Sequence, residues 1–542
     1  MPDSVSGLVM WTFHSVLTGK RRNVIKNAIF HQLGDLLRFT RSIRFKSMST
    51  QNGTRLLIGV NIDDANAYVI AVSDEGQTVA QSSCKFDLTK NQPPKDCLEQ
   101  PCECWWQAVI HALGYLTSQL HKLGHTPDQI MGISVSSQPG TLAIINRAGA
   151  SLYPAIMAND VRAEEQATRL NLVGQEHVKK VGCSFRPTDA LAKIVWFKEK
   201  QPDIYENAMF AHQADYVAGK LKGRIDVTDP TLASTTGCDP CDNCWPDWLD
   251  YEMHLSVRER LPNIGQIGSL IGNVTSEAAR LTGLPAGLPV LLGCNSQTAV
   301  FLCSGVKKPG DFFTVFDETM QIDGISNNIL HYQQNTVKMN RLPDMQWFFS
   351  TRTNTGTEWI NVWFNEQYAL DNIGQVDQLL PTKYLAFPNV RRGEIFPFSS
   401  NSAEGFISPA TDNRLVQFAA CIQGTAFVER MIYQKINDLA VNTDTEPGNI
   451  YSTGPWCKSD IWMQCRADVT ERVVHRLPET HGADFGSAIV AAMGTQFHSL
   501  EEASNAMVHL EQSFHPNPDS MIIFKEHYAE FLTTMEEQGY LL

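Results

Sequence analysis

A chain of 542 residues, 43% hydrophobic and 19% charged, is long enough for two large cores and carries no signature of disorder. Its 58 acidic against 44 basic side chains give a formal net charge of −14, which argues against nucleic acid or an anionic membrane as the main partner. No apolar run approaches the ~20 residues of a bilayer span, and 13 cysteines, an odd number with no secretory signal ahead of them, point to a reduced compartment.

The first 47 residues run against the overall charge, with eight basic side chains from Lys20 to Lys46 against Asp3 and Asp35 alone. Interspersed apolar residues such as Ile25, Phe30 and Leu36 give this stretch the look of an organellar presequence or a poorly ordered extension, so the expected location is cytoplasmic or mitochondrial. Beyond it, LLIGVNI (56–62), AYVIAV (67–72) and TVAQSSCKF (78–86), divided by the turn DEGQ, predict an antiparallel meander. Apolar residues at helical spacing predict a helix over 103–123, followed by strands at IMGISVS (130–136) and TLAII (141–145) and a helix over 160–171. The second half repeats the theme. DFFTVF (311–316) and MQIDGIS (320–326) predict a hairpin, 413–440 a long helix, IYSTG (450–454) a strand, and GADFGSAIVAAMG (482–494) a helix with small residues on one face. Two similar α/β halves imply a cleft between them. The expected divisions are an extension over 1–47, a first domain over 48–305 and a second over 306–542.

Cys238, Cys241 and Cys244 have the two-residue spacing of metal knuckles, and Cys97, Cys102 and Cys104 form a looser group. Neither supplies a fourth ligand nearby, so a metal site and plain reduced thiols both stay open. No Walker loop, HExxH helix or GxSxG elbow is present.

Ordered sets of residues say more. ECWWQA (103–108), VSSQPG (135–140), PAIMANDVR (154–162), ALAKIVWF (190–197), HQADYVAGKLKG (212–223), TDPTLASTTG (228–237), LPAGLPVLLG (284–293), RRGEIFP (391–397) and CKSDIWMQCRADV (457–469) follow one another as in a known family. Together they resemble the FGGY carbohydrate kinases, xylulokinase-like members above all, over about 55–500. The resemblance implies an α/β fold of two actin-like (ribonuclease-H-like) ATPase domains flanking a central cleft. It also implies ATP and Mg²⁺ as cofactors if the chain is active, and a small sugar or polyol as ligand. A homodimer or a protein partner is left open.

Phosphoryl transfer to a sugar hydroxyl needs a carboxylate to accept the proton, a divalent ion on the phosphates and small residues that let backbone N–H groups approach. The family's Gly-Ile-Asp-x-Gly-Thr hairpin reads here through Asn61, Asp63 and Asp64, and its second phosphate hairpin through Asp317 and Glu318. The resemblance implies that the position of the family's general base, an aspartate, reads Asn295 here, so the base is expected to be lost, and the adenine side reads Gly454, Pro455, Trp456 ahead of Lys458. Losing a general base costs about 10²–10⁴ in rate. Like charges 4 Å apart repel by roughly 4 kcal/mol at an effective dielectric near 20, which sets these carboxylates against a triphosphate.

The sugar side keeps Gln138, Asn159, Asp160 and Arg162, although Ala158 replaces an aromatic platform and Pro139-Gly140 a Met-His pair. Asp160 and Arg162 equally fit an N-cap and salt bridge opening the 160–171 helix, while Lys193 and Trp196 read as packing residues. Two functions follow from the resemblance: a sugar-binding pseudokinase, or an active sugar kinase whose metal and phosphate site is rearranged around Asp63, Asp64 or Asp317.

Overall fold

A computed structural model describes residues 53–88, 98–251, 253–332, 336–343, 346–440, 447–478 and 482–541. The basic extension over 1–47 and Cys97 lie outside the described residues.

The strand Leu56–Ile62 pairs antiparallel with Asn66–Ser73, which pairs with Thr78–Lys85, so the meander forms as the apolar runs indicate. Asp63 makes the first turn tight: its Oδ1 accepts from the backbone N–H groups of Ala65 and Asn66 at 2.7 and 2.6 Å. On the other side of Leu56–Ile62 lies Ile130–Ser137, parallel to it, then Pro289–Leu291 and the edge strand Leu270–Asn273. Leu56–Ile62 is apolar at nearly every position because both faces of the sheet are covered.

The helix Cys102–Lys122 covers one face through Trp105, Val109, Leu113 and Leu116. The opposite face, with Leu57, Ile70 and Val72, is covered by the helix Ala483–Met493 through Phe485 and Ile489. That helix sits so low that a Cβ on Gly59 would lie 1.8 Å from the carbonyl oxygen of Asp484. Gly486 is equally tight against the carbonyl oxygen of Ala299 on the helix Ser296–Leu302. A division of the chain near 305 therefore leaves a late helix on the sheet of the first half.

The second half has the same core order. Trp347–Thr353, Met320–Ser326, Phe312–Phe316, Ile450–Thr453 and Val474–Arg476 lie side by side, with Lys338–Arg341 and Gln512–Phe514 at the edges. In both halves three antiparallel strands are followed by two parallel ones, the ribonuclease-H-like order expected of actin-like domains. Under this sheet the helices Arg414–Leu439 and Asp460–Thr470 carry a fully buried ion pair, Arg466 Nη2 to Glu429 Oε1 at 2.6 Å. Thr314 donates to Glu429, and Arg466 donates to Ser452, so the pair ties both helices to the two central strands.

One element differs from expectation. The helix after the second sugar-side motif starts at Glu164, with Ala163 at its N-cap and no side chain capping it. Asp160 cannot cap it because its carboxylate is held by the Arg162 guanidinium and by the backbone N–H of Leu98. Among the described residues no helix is long and apolar enough to cross a membrane.

Candidate functional site

The site is built at the carboxyl end of Leu56–Ile62, where the hairpin tip, the ends of neighbouring strands and the N-terminus of Ser296–Leu302 meet. Asn61 is half-buried there, and its Oδ1 accepts from Ser136 Oγ at 3.0 Å and from Ser296 Oγ at 2.6 Å. Ser487, on the Ala483–Met493 helix, donates to Ser136 Oγ at 2.7 Å and so extends the network across to the late helix. An amide oxygen already accepting two hydroxyls has no role in taking a proton.

Asn295 is buried and acts as the N-cap of Ser296–Leu302, its Oδ1 accepting from Thr298 N at 2.8 Å. Its Nδ2 donates to Thr231 O and its backbone N to Thr231 Oγ1. Asp229 Oδ1 in turn accepts from Thr231 Oγ1, Thr231 N and Leu232 N. Burial lifts the Asp229 carboxyl to about 6, against those bonds. Asn295 is thus locked in place by its own cap. The neighbouring side chain that reaches Asn61 is Ser296, and its place beside Asn295 in Gly293–Gln297 was the one signal in the sequence.

The hairpin tip turns toward the sugar-side residues. Asp64 Oδ2 accepts from Asn159 Nδ2 at 3.2 Å, and its backbone oxygen from Gln100 Nε2 at 2.7 Å. Burial, and then the neighbouring Asp63, raise the Asp64 carboxyl, with Lys193 opposing. The Gln138 backbone N reaches Ile62 O at 3.4 Å. Gln213, which sequence reasoning did not single out, donates from Nε2 to Asp63 O. Asp64 Oδ1, Gln138 Oε1 and Gln213 Oε1 are buried with no partner among the described residues.

Asp160 and Arg162 form a bidentate pair at 2.7–2.9 Å, and Arg162 also bonds Glu99 and lies 4.9 Å over the Trp196 ring. Burial opposes ionisation, yet the Arg162 and backbone hydrogen bonds hold Asp160 below the usual carboxylate range. Lys193 is fully buried, and its Nζ donates to the carbonyl oxygens of Gly140, Met157 and Ala158. Burial depresses it to about 7. It is a clip that fastens Gly140 to the segment carrying Asn159.

In the second half, Asp317 and Glu318 are exposed at the tip after Phe312–Phe316. Asp317 Oδ1 accepts from Glu318 N, and Glu318 lies 3.9 Å from Arg391. Gly454 has φ 129°, and a Cβ there would lie 2.2 Å from Phe316 O, so glycine is required for this close approach. The Pro455–Lys458 turn follows, with Trp456 packed on Trp462 at 5.8 Å and Lys458 exposed. Cys238 is buried, Cys241 half-buried and Cys244 exposed in the 238–244 loop. Among the described residues no three His, Cys, Asp or Glu side chains are disposed to hold a metal.

Residues 56–303 match the N-terminal-domain model of the FGGY family of carbohydrate kinases, and residues 344–495 its C-terminal-domain model. A xylulose kinase of Staphylococcus xylosus is 23% identical over 483 residues, covering 85% of this chain and 95% of its own length. An autoinducer-2 kinase of Escherichia coli K12 is 25% identical over 484 residues, 84% of this chain and 87% of its own. Among solved structures, xylulose kinase from Rhodospirillum rubrum superposes with a TM-score of 0.74 at 22% identity, over 89% of this chain and 99% of that one. Glycerol kinase from Plasmodium falciparum, solved with ADP, gives 0.73 at 17% identity over 90% and 99%. With both domain models matched in order, the chain belongs to the FGGY family of carbohydrate kinases.

Proposed function

We propose that this chain binds a small sugar or polyol in its cleft and that its phosphoryl transfer is impaired. The observation that carries this reading is the state of Asn61 and Asn295, the amides standing where the resemblance expects acidic groups. Asn61 Oδ1 is engaged by two serine hydroxyls, and Asn295 is engaged in a helix cap. Neither is a base. Unpartnered buried acceptors at Asp64, Gln138 and Gln213 favour a hydrogen-bonding ligand on the sugar side.

A magnesium triphosphate fits this lining poorly. Asp63 Oδ1 is occupied by its own turn, and Asp64 Oδ1, a buried carboxylate oxygen without a partner among the described residues, belongs to a side chain held by Asn159.

One observation favours a second reading, an active sugar kinase with a rearranged site. The same Asp64 oxygen, on a carboxyl raised by burial, has the character of a general base. The full-length chain assayed for ADP release with a panel of pentuloses, heptuloses and glycerol separates the two. The first reading expects turnover at least about 10² below an ordinary kinase rate of ~1–100 s⁻¹, with sugar-induced thermal stabilisation independent of Mg·ATP. Ordinary sugar-dependent turnover, abolished by Asp64→Asn, would establish the second reading instead.

A further inference from the structure

The helix Ser296–Leu302 lies along the strand Trp347–Thr353 in matched steps. The Phe301 ring sits 4.5 Å from the Phe348 ring, and one helical turn earlier Gln297 Nε2 donates to Ser350 Oγ at 2.7 Å. Alternate residues of a strand share a face, so Arg352 comes next on this face, about 7 Å beyond Ser350. That step passes the first turn of the helix, where Ser296 reaches Asn61, and the Arg352 side chain is exposed there. Lys338, on the edge strand, pairs directly with Ser350, which sets it on the same face as Arg352, and it too is exposed.

A third cation arrives from the first half. The Cys183 thiol meets the Met339 backbone, which brings the following residues against the edge strand. Arg186, its side chain 51% exposed, thereby stands near Lys338. Desolvation by the protein packed around its amine, and then the Arg186 charge, lower the Lys338 ammonium from the usual lysine range, with Arg352 adding to the fall and Asp189 opposing.

The acids around this group are engaged. Asp189 accepts from the Arg186 guanidinium and from its backbone N–H, both at 2.8 Å. Asp323 is buried with Gln321 Nε2 on both its oxygens, and burial lifts its carboxyl to about 7, with Lys338 opposing. Asp317 is turned onto Glu318 N, and Glu318 faces Arg391. Lys338 and Arg352 have no hydrogen bond or ion pair among the described residues. In a chain of net charge −14, three cations around one strand edge, two of them unpaired, are a place for an anion. Asp189 also connects them to the sugar side, because its charge acts on Lys193, the clip that holds the segment carrying Asn159.

We propose that Arg186, Lys338 and Arg352 form a subsite for the anionic group, phosphate or carboxylate, of a sugar derivative bound in the cleft. This rests on reading the cleft as a sugar site. The test titrates the full-length chain by calorimetry at pH 7 and matched ionic strength with xylitol, xylonate and xylitol 5-phosphate. At least one anionic probe is expected to bind about tenfold or more tightly than xylitol, and the tighter of the two names the anion. Arg352→Gln, and independently Lys338→Gln, should cut that preference below about threefold while xylitol affinity stays within about twofold. Arg352→Lys, which keeps the charge, should retain more of the preference than Arg352→Gln.

Anionic probes that bind no more tightly than xylitol overturn the subsite and leave the sugar reading standing. A preference that survives both glutamine substitutions overturns the subsite as well. Anionic binding that both substitutions abolish, with xylitol silent, upholds the subsite and overturns the reading of the cleft as a neutral-sugar site. Binding of none of the three overturns both.

Discussion

Asp229 accepts three hydrogen bonds through one oxygen, yet burial still lifts its carboxyl from 3.8 to about 6. Between those values the folded chain holds a proton that the unfolded chain has released. Wild-type stability therefore falls as pH rises from about 4 to about 6, and the full deficit persists above it. Asp229→Asn keeps an acceptor for Thr231 and removes the titration. Its unfolding free energy relative to wild type should rise by up to about 3 kcal/mol between pH 4 and pH 7, measured by urea denaturation at each pH. A difference that stays flat with pH would mean Asp229 is ionised throughout. At this scale the sequence made Asn61, Asn295 and Asp64 legible, because each stands inside an ordered motif. It left Gln213 and the Lys193 clip unread, since whether a buried polar atom has a partner depends on residues far along the chain. Asp160 shows the same limit: its local spacing fitted a helix cap, but Arg162 and the distant Leu98 N–H claim its oxygens.

The strands and long helices were the most readable elements, because runs such as LLIGVNI and DFFTVF carry their own burial pattern. The network beneath the second sheet was not readable. Glu429 and Arg466 sit on different helices, both at 0% side-chain exposure, with Thr314, Tyr433 and Ser452 completing the bonds. Removing one partner leaves a buried charge alone, so Arg466→Met should cost about 3–5 kcal/mol in chemical denaturation. The double variant Glu429→Gln with Arg466→Met should recover part of that loss. Because Thr314 and Ser452 lie on the strands that run toward Phe316 and Gly454, the single variant should also loosen those two turns, read as faster amide exchange there.

The whole molecule depends on a few places where two backbones nearly touch. In an ordinary helix interior, glycine to alanine gains about 1 kcal/mol. Gly114→Ala, with open space around it in the Cys102–Lys122 helix, should follow that rule. Gly486→Ala should reverse it and lose at least about 2 kcal/mol, because the new methyl meets the Ala299 carbonyl. Thermal denaturation of the two variants side by side reads the opposite signs directly.

The Ala483–Met493 helix has a further consequence for how the chain is made. Phe485 and Ile489, which cover Leu57, Ile70 and Val72, leave the ribosome about 400 residues after them. Until the Ala483–Met493 helix emerges the first sheet carries a naked apolar face, a natural substrate for holding chaperones. A stop codon placed anywhere between the two would release a half-molecule that cannot shield itself, and premature termination should yield aggregate instead of a working fragment.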